Sequence, residues 1–107
     1  MFRHMVMFRF AEDATDEQKE AMRAGLRRLP EVIPEIVAYR FGDDAGLRDD
    51  NFDFGVTADF DDKASFLVYR DHPDHQKLIA DLIAPIITAR AGVQFEWATA
   101  LPPDLPG

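Results

Sequence analysis

The sequence predicts an α+β domain in the order β-α-β-β-α-β, with one four-stranded antiparallel sheet and its helices on one face of it. Three observations lead there. Four segments alternate with the two-residue period of a strand. A helix-start signal opens a 3.6-period apolar stripe between the first and second of them. Between the third and fourth, a proline bend leads into the most apolar helical stretch of the chain.

The first strand covers 3–10, with His4, Val6, Phe8 and Phe10 on one face and Met5, Met7 and Arg9 on the other. Thr15-Asp16-Glu17-Gln18 has the form of a capping box, Thr15 being the N-cap and Gln18 the residue that reaches back. Met22, Leu26 and Leu29 then share one face of a helix that is expected to end at Pro30, because proline has no amide hydrogen to donate. Ile33-Pro34 leads into a second strand over roughly 35–41, where Val37, Tyr39 and Phe41 oppose Ile36, Ala38 and Arg40.

Residues 42–51 have turn and solvating side chains with no apolar period, so they read as an exposed loop. Its four aspartates lack calcium-loop spacing and the closing glutamate, so no metal is expected there. Phe52, Phe54, Val56, Ala58 and Phe60 form a third strand, and Asp61 or Asp62 caps a short helix that runs through Tyr69. After Pro73 a long helix is expected to about Thr88, loosened at Pro85 and ended by Gly92. Val93, Phe95 and Trp97 alternate with Gln94, Glu96 and Ala98 as the fourth strand, which completes a ferredoxin-like arrangement.

The 107 residues suit one domain over 1–100, followed by an extended, proline-rich tail at 101–107. Twenty acidic against twelve basic residues give a net charge of -8 with no basic cluster, which argues against nucleic acid and anionic membranes as partners. Cysteine is absent, so disulfides and thiol chemistry are excluded. The apolar run from Met5 to Phe8 is too short for a signal-peptide core, and a cytoplasmic protein is the expectation.

Helices on one face leave the other face of the sheet open, yet Met5, Met7, Ile36, Ala38, Val93, Phe95 and Trp97 make that face apolar. A second copy of the sheet would bury it, which predicts a homodimer packed through the sheet face.

Chemistry-competent side chains crowd together only in Tyr69-Arg70-Asp71-His72-Pro73-Asp74-His75. On a helical wheel His75 falls near the middle of the apolar arc formed by Leu78, Ile79, Leu82, Ile83, Ile86 and Ile87, so it points inward. A buried imidazole left unpaired costs about 1–3 kcal/mol, so His75 must have a partner, structural or functional. His72, next to the proline, reads as a capping group of the bend.

The element order, Ile33-Pro34, Phe41-Gly42 and above all Tyr69…His72-Pro73-x-His75 resemble the stress-responsive A/B barrel domain family over residues 2 to about 98. The resemblance implies a dimeric α/β barrel with a pocket between sheet and helices. Most members of that family have no assigned activity. A few plant members are polyketide cyclases that work without metal or cofactor, and none is expected here. Carried over from them, the catalytic pair would be Tyr69 and His75, with Glu96 orienting the histidine, or Gln94 in a register two residues earlier. His4 would line the pocket, and Phe54 stands where the cyclases have a further histidine.

The resulting expectation is a small, largely apolar carbonyl or aromatic ligand held by His4, Val6, Phe8, Tyr39, Phe54 and Val56. One alternative is a cofactor-independent cyclase, lyase or isomerase in which His75 is the base and Tyr69 the donor. The other is a structural stress protein without a ligand. Monooxygenases of related barrels use Trp, Asn and His together, and Trp97 and Asn51 lie apart from the histidines in this pattern.

Overall fold

The computed structural model describes residues 1–98, and the expected tail at 101–107 lies outside them. Four strands, β1 (Phe2–Phe10), β2 (Ala38–Asp43), β3 (Phe54–Phe60) and β4 (Ile87–Glu96), form one sheet in the order β2-β3-β1-β4. Every neighbouring pair is antiparallel. The helices are α1 (Asp16–Val32), α2 (Lys63–Asp71) and α3 (Pro73–Leu78). This is the ferredoxin-like α+β arrangement.

The alternation in β1 decides which face becomes the core. Phe2, His4, Val6 and Phe8 are buried under the helices, while Met5 and Met7 remain exposed. Phe54, Phe60, Met22 and Ile33 are the largest fully buried side chains. At the start of α1 the Thr15 hydroxyl accepts from the Gln18 amide and the Gln18 side chain accepts from the Thr15 amide, satisfying two otherwise orphaned donors. Asp62, rather than Asp61, caps α2 by accepting from Ser65 N–H at 2.8 Å. His72 ends α2 and caps α3, its Nδ1 accepting from Asp74 N–H at 3.1 Å.

Several boundaries differ from the sequence reading. Helix α1 passes through Pro30 to Val32, because Ile33 N–H still donates to Leu29 O and the last turn needs nothing from the proline nitrogen. Strand β2 begins at Ala38, three residues late. Ile36 packs against the core, so it is not part of the open sheet face. Strand β3 begins at Phe54 because Asp53 is engaged elsewhere: its amide donates to Phe8 O and its carboxylate accepts from Phe10 N–H, which closes the end of β1.

The long second helix is the largest correction. After Leu78 the chain widens into a π-helical turn over Ile79–Ile83, tightens to a 3₁₀ turn over Ala84–Ile86, and enters β4 at Ile87. Gly92 therefore sits inside a strand, opposite Val6. Pro85 cannot donate to the preceding turn, and β1 offers a free edge along its whole length, so residues 87–92 pair with it instead of remaining helical.

On the open face of the sheet, Arg3 makes a two-pronged ion pair with Asp59 at 2.7 and 2.9 Å and stacks over Trp97, 5.1 Å from the ring centroid. Met5, Met7, Val93 and Phe95 lie exposed beside this cluster. No helix among the described residues is long and apolar enough to cross a membrane.

Candidate functional site

A cavity of about 340 Å³ lies between the inner face of the sheet and the α2–α3 side of the helical layer. Val6, Phe8 and Val56 form its sheet floor. Leu26 of α1 closes one side, and Ile79 and Ile83 of the π-helical turn close the other. Polar groups gather at one end: His4, Tyr39, Tyr69, His75, Arg90 and Gln94.

His75 is held by the end of the preceding helix. The last carbonyls of a helix have no intrahelical donor, and Arg70 O accepts from both His75 Nδ1, at 3.1 Å, and the Gln76 side-chain amide. Because a carbonyl only accepts, Nδ1 carries the ring proton and Nε2 keeps the lone pair. Burial lowers the pKa of His75, and the backbone hydrogen bonds only partly offset it, so the ring is neutral at pH 7. Its face lies against Tyr69, with centroids 4.0 Å apart and planes inclined by 31°.

The hydroxyls of Tyr69 and Tyr39 meet at 3.0 Å, tying α2 to the edge strand β2. Burial pushes the Tyr69 phenol up to about 12, against the pull of the Tyr39 hydrogen bond and the Arg90 charge, and it raises Tyr39 further. When Tyr39 donates, the Tyr69 O–H remains for a cavity occupant.

His4 sits across the cavity, its ring 5.1 Å from that of Phe66 and 6.0 Å from that of Tyr69. Gln94, directly opposite on β4, brings its amide nitrogen to 2.9 Å from His4 Nδ1, so the amide donates and Nε2 carries the ring proton. Burial, followed by the charges of Arg90 and His75, lowers the His4 pKa to about 4.

Of the residues expected at the site, His4, Val6, Phe8, Tyr39, Val56, Tyr69 and His75 line the cavity together. Two do not. Phe54 is buried behind the wall, stacked on Phe8 at 6.4 Å and packed against Phe41. Glu96 is exposed near the end of β4 opposite Phe2, and its expected place beside His75 is taken by the Arg70 carbonyl. The register two residues earlier brings Gln94 in, but onto His4.

Arg90 and Gln94 reach the cavity because β4 starts early. Arg90 pairs with Phe8, Gly92 with Val6 and Gln94 with His4, so all three face inward. A strand beginning at Ile87 would have exposed this period-two stripe in the sequence; a helix running to Thr88 hides it.

A family model described as the Stress Responsive A/B Barrel Domain matches residues 2–97. The chain belongs to that family. Among solved members of the A/B barrel fold, a dimeric ferredoxin-like protein of unknown function from Thermobifida fusca is 43% identical over 90% of each chain, with a TM-score of 0.82. A dimeric protein of unknown function from Bacteroides fragilis is 22% identical over 90% of this chain and 95% of its own, with a TM-score of 0.77. The hydroxynitrile lyase of Passiflora edulis is 21% identical over 94% of this chain and 96% of its own, with a TM-score of 0.82. At these last two identities the likeness is one of fold. No curated protein matches the chain.

Proposed function

We propose that this A/B barrel protein binds a small, largely apolar carbonyl or aromatic compound in the cavity between sheet and helices, and that it does so as a homodimer. The observation that carries the reading is the split character of the cavity. An aliphatic and aromatic wall of Val6, Phe8, Val56, Ile79 and Ile83 ends on a cluster of hydroxyl, imidazole and amide groups. Such a site buries an apolar body and fixes its polar end. The dimer rests on the exposed Met5, Met7, Val93 and Phe95 and on relatives described as dimeric.

The test is a chemical-shift titration with acetophenone as the carbonyl probe. Saturable shifts at Val6, Val56, Tyr69 and His75 are expected. Absence of any shift at those residues for acetophenone and for a panel of aromatic ketones and acids would overturn the binding reading.

One observation favours a second reading, that of a cofactor-independent lyase, cyclase or isomerase. The Arg70 carbonyl fixes His75 in the tautomer that leaves Nε2 as a neutral base, in contact with a phenol that can donate to a developing oxyanion. A positioned general base of this kind contributes about 10²–10⁴-fold. His75→Ala should then abolish turnover of a substrate while that substrate still binds.

A further inference from the structure

We infer that the occupant of the cavity carries a single carboxylate beside its apolar body, and that Arg90 is the residue that selects it. The inference rests on the reading of the cavity as a binding site and names the class of compound it takes.

The first observation is the charge inventory of the wall. The chain has 20 acidic and 12 basic residues, yet no Asp or Glu lines the cavity, and two arginines do. One of them is neutralised. The Arg70 guanidinium makes two bonds to the Asp71 carboxylate, at 2.9 and 3.1 Å. Arg90 is different: among the described residues it makes neither a hydrogen bond nor a salt bridge. An acidic protein has left an uncompensated guanidinium at the mouth of its main apolar cavity.

The second observation is how that guanidinium lies. A methyl group at Gly92 would be 3.0 Å from Arg90 Nη2, 3.1 Å from Nη1 and 3.2 Å from Cζ, so the planar group rests flat over the bare glycine. Glycine inside a strand weakens it and marks close approach of another group. Here that group is the arginine, turned back along β4 toward Gln94 and His4 instead of out into water.

The third observation fixes the charge it would meet. His4 and His75 are both held neutral by burial, and no lysine lines the cavity, so the wall offers one free positive charge. That suits a monoanion. A phosphate dianion would ask for more cations or a cradle of backbone amides, and the fork of a guanidinium matches the two oxygens of a carboxylate. With Arg90 at the mouth and Val6, Phe8 and Val56 on the floor, the acid group would sit outermost and the apolar body would point inward.

The test compares trans-cinnamate with its neutral isostere cinnamamide, by calorimetry and by amide shifts at Val6 and Gly92, on wild type, Arg90→Gln and Gly92→Ala. Wild type should bind cinnamate at least about tenfold more tightly than cinnamamide, a charge-assisted contact being roughly twice as strong as a neutral one. Arg90→Gln should bring the ratio to within about twofold of one. Gly92→Ala, which lifts the guanidinium without removing it, should give an intermediate ratio. Equal affinity of the two probes for wild type, or a ratio unchanged in Arg90→Gln, would overturn the carboxylate inference and leave the cavity as a site for neutral compounds. Failure of both probes to shift Val6 and Gly92 would overturn the inference together with the binding reading on which it rests.

Discussion

The Tyr69 and His75 rings are in face contact, with centroids 4.0 Å apart, and each is anchored on its far side by a different element: Tyr69 by the Tyr39 hydroxyl of β2, His75 by the Arg70 carbonyl at the end of α2. The pair is therefore oriented from outside itself. Nitrogen-detected NMR should find His75 in the Nδ1–H form at neutral pH, titrating below the ordinary histidine value of about 6.5. An Nε2–H ring, or a midpoint at or above that value, would contradict the anchoring described here.

His4 depends on Gln94 in the same way. Gln94→Leu removes the donor to His4 Nδ1 and should cost about 1 kcal/mol in urea unfolding, since one hydrogen bond is lost at a site partly open to water. Gln94→Glu is the more informative substitution. A carboxylate in that position favours the imidazolium, so the His4 midpoint should rise clearly above about 4. A His4 titration unmoved by the glutamate would mean that the two side chains do not meet in solution.

Stability should fall as the solution is acidified, well before the carboxylates titrate. His4 has a native pKa of about 4, below the ordinary value, so between those limits the unfolded chain holds a proton that the native chain does not. The stabilisation is full above about pH 6.5 and is lost as pH falls toward 4; from pH 7.5 to 5 this one group accounts for about 2 kcal/mol. His75 acts in the same direction. Urea midpoints measured across this range should decline, and His4→Leu should flatten the slope. A pH-independent midpoint in wild type would show that His4 is not held neutral.

Val93 stands opposite Met5 on the open sheet face and is 53% exposed in the single chain. Val93→Asp would force an unpaired charge into a sheet-to-sheet contact, and losing that contact is cheaper than burying the charge. Sedimentation should find wild type as a dimer and the variant as a folded monomer. A dimeric Val93→Asp would mean that another surface makes the association.

Strands and helix starts were legible in the sequence wherever a local pattern and the tertiary environment ask for the same thing. The alternation of His4, Val6 and Phe8 gave the inner face of β1, and Thr15 with Gln18 gave the start of α1. The reading failed where pairing overrides propensity. Thr88-Ala89-Arg90-Ala91 looks helical, and only the free edge of β1 makes it a strand, which is why Arg90 could not be seen as a cavity residue. Glu96 failed for a related reason. A carboxylate is the common partner for a histidine, but the end of α2 already supplied a carbonyl closer to hand, and no residue pattern announces where a helix carbonyl will point.

The π-helical turn at Ile79–Ile83 has a consequence for how a cavity of this kind changes its size. Such a turn holds one residue more per hydrogen-bonded loop than the α-helix on its N-terminal side, and it contributes Ile79 and Ile83 to the cavity wall. Excising a single residue there would let the segment rewind as ordinary helix. Every following side chain would swing by about 100° about the axis, carrying the isoleucines out of the wall. His4, Tyr69 and His75 would be untouched. Chain length at this one turn is thus a dial on the cavity's dimensions, independent of the side chains that give it chemistry.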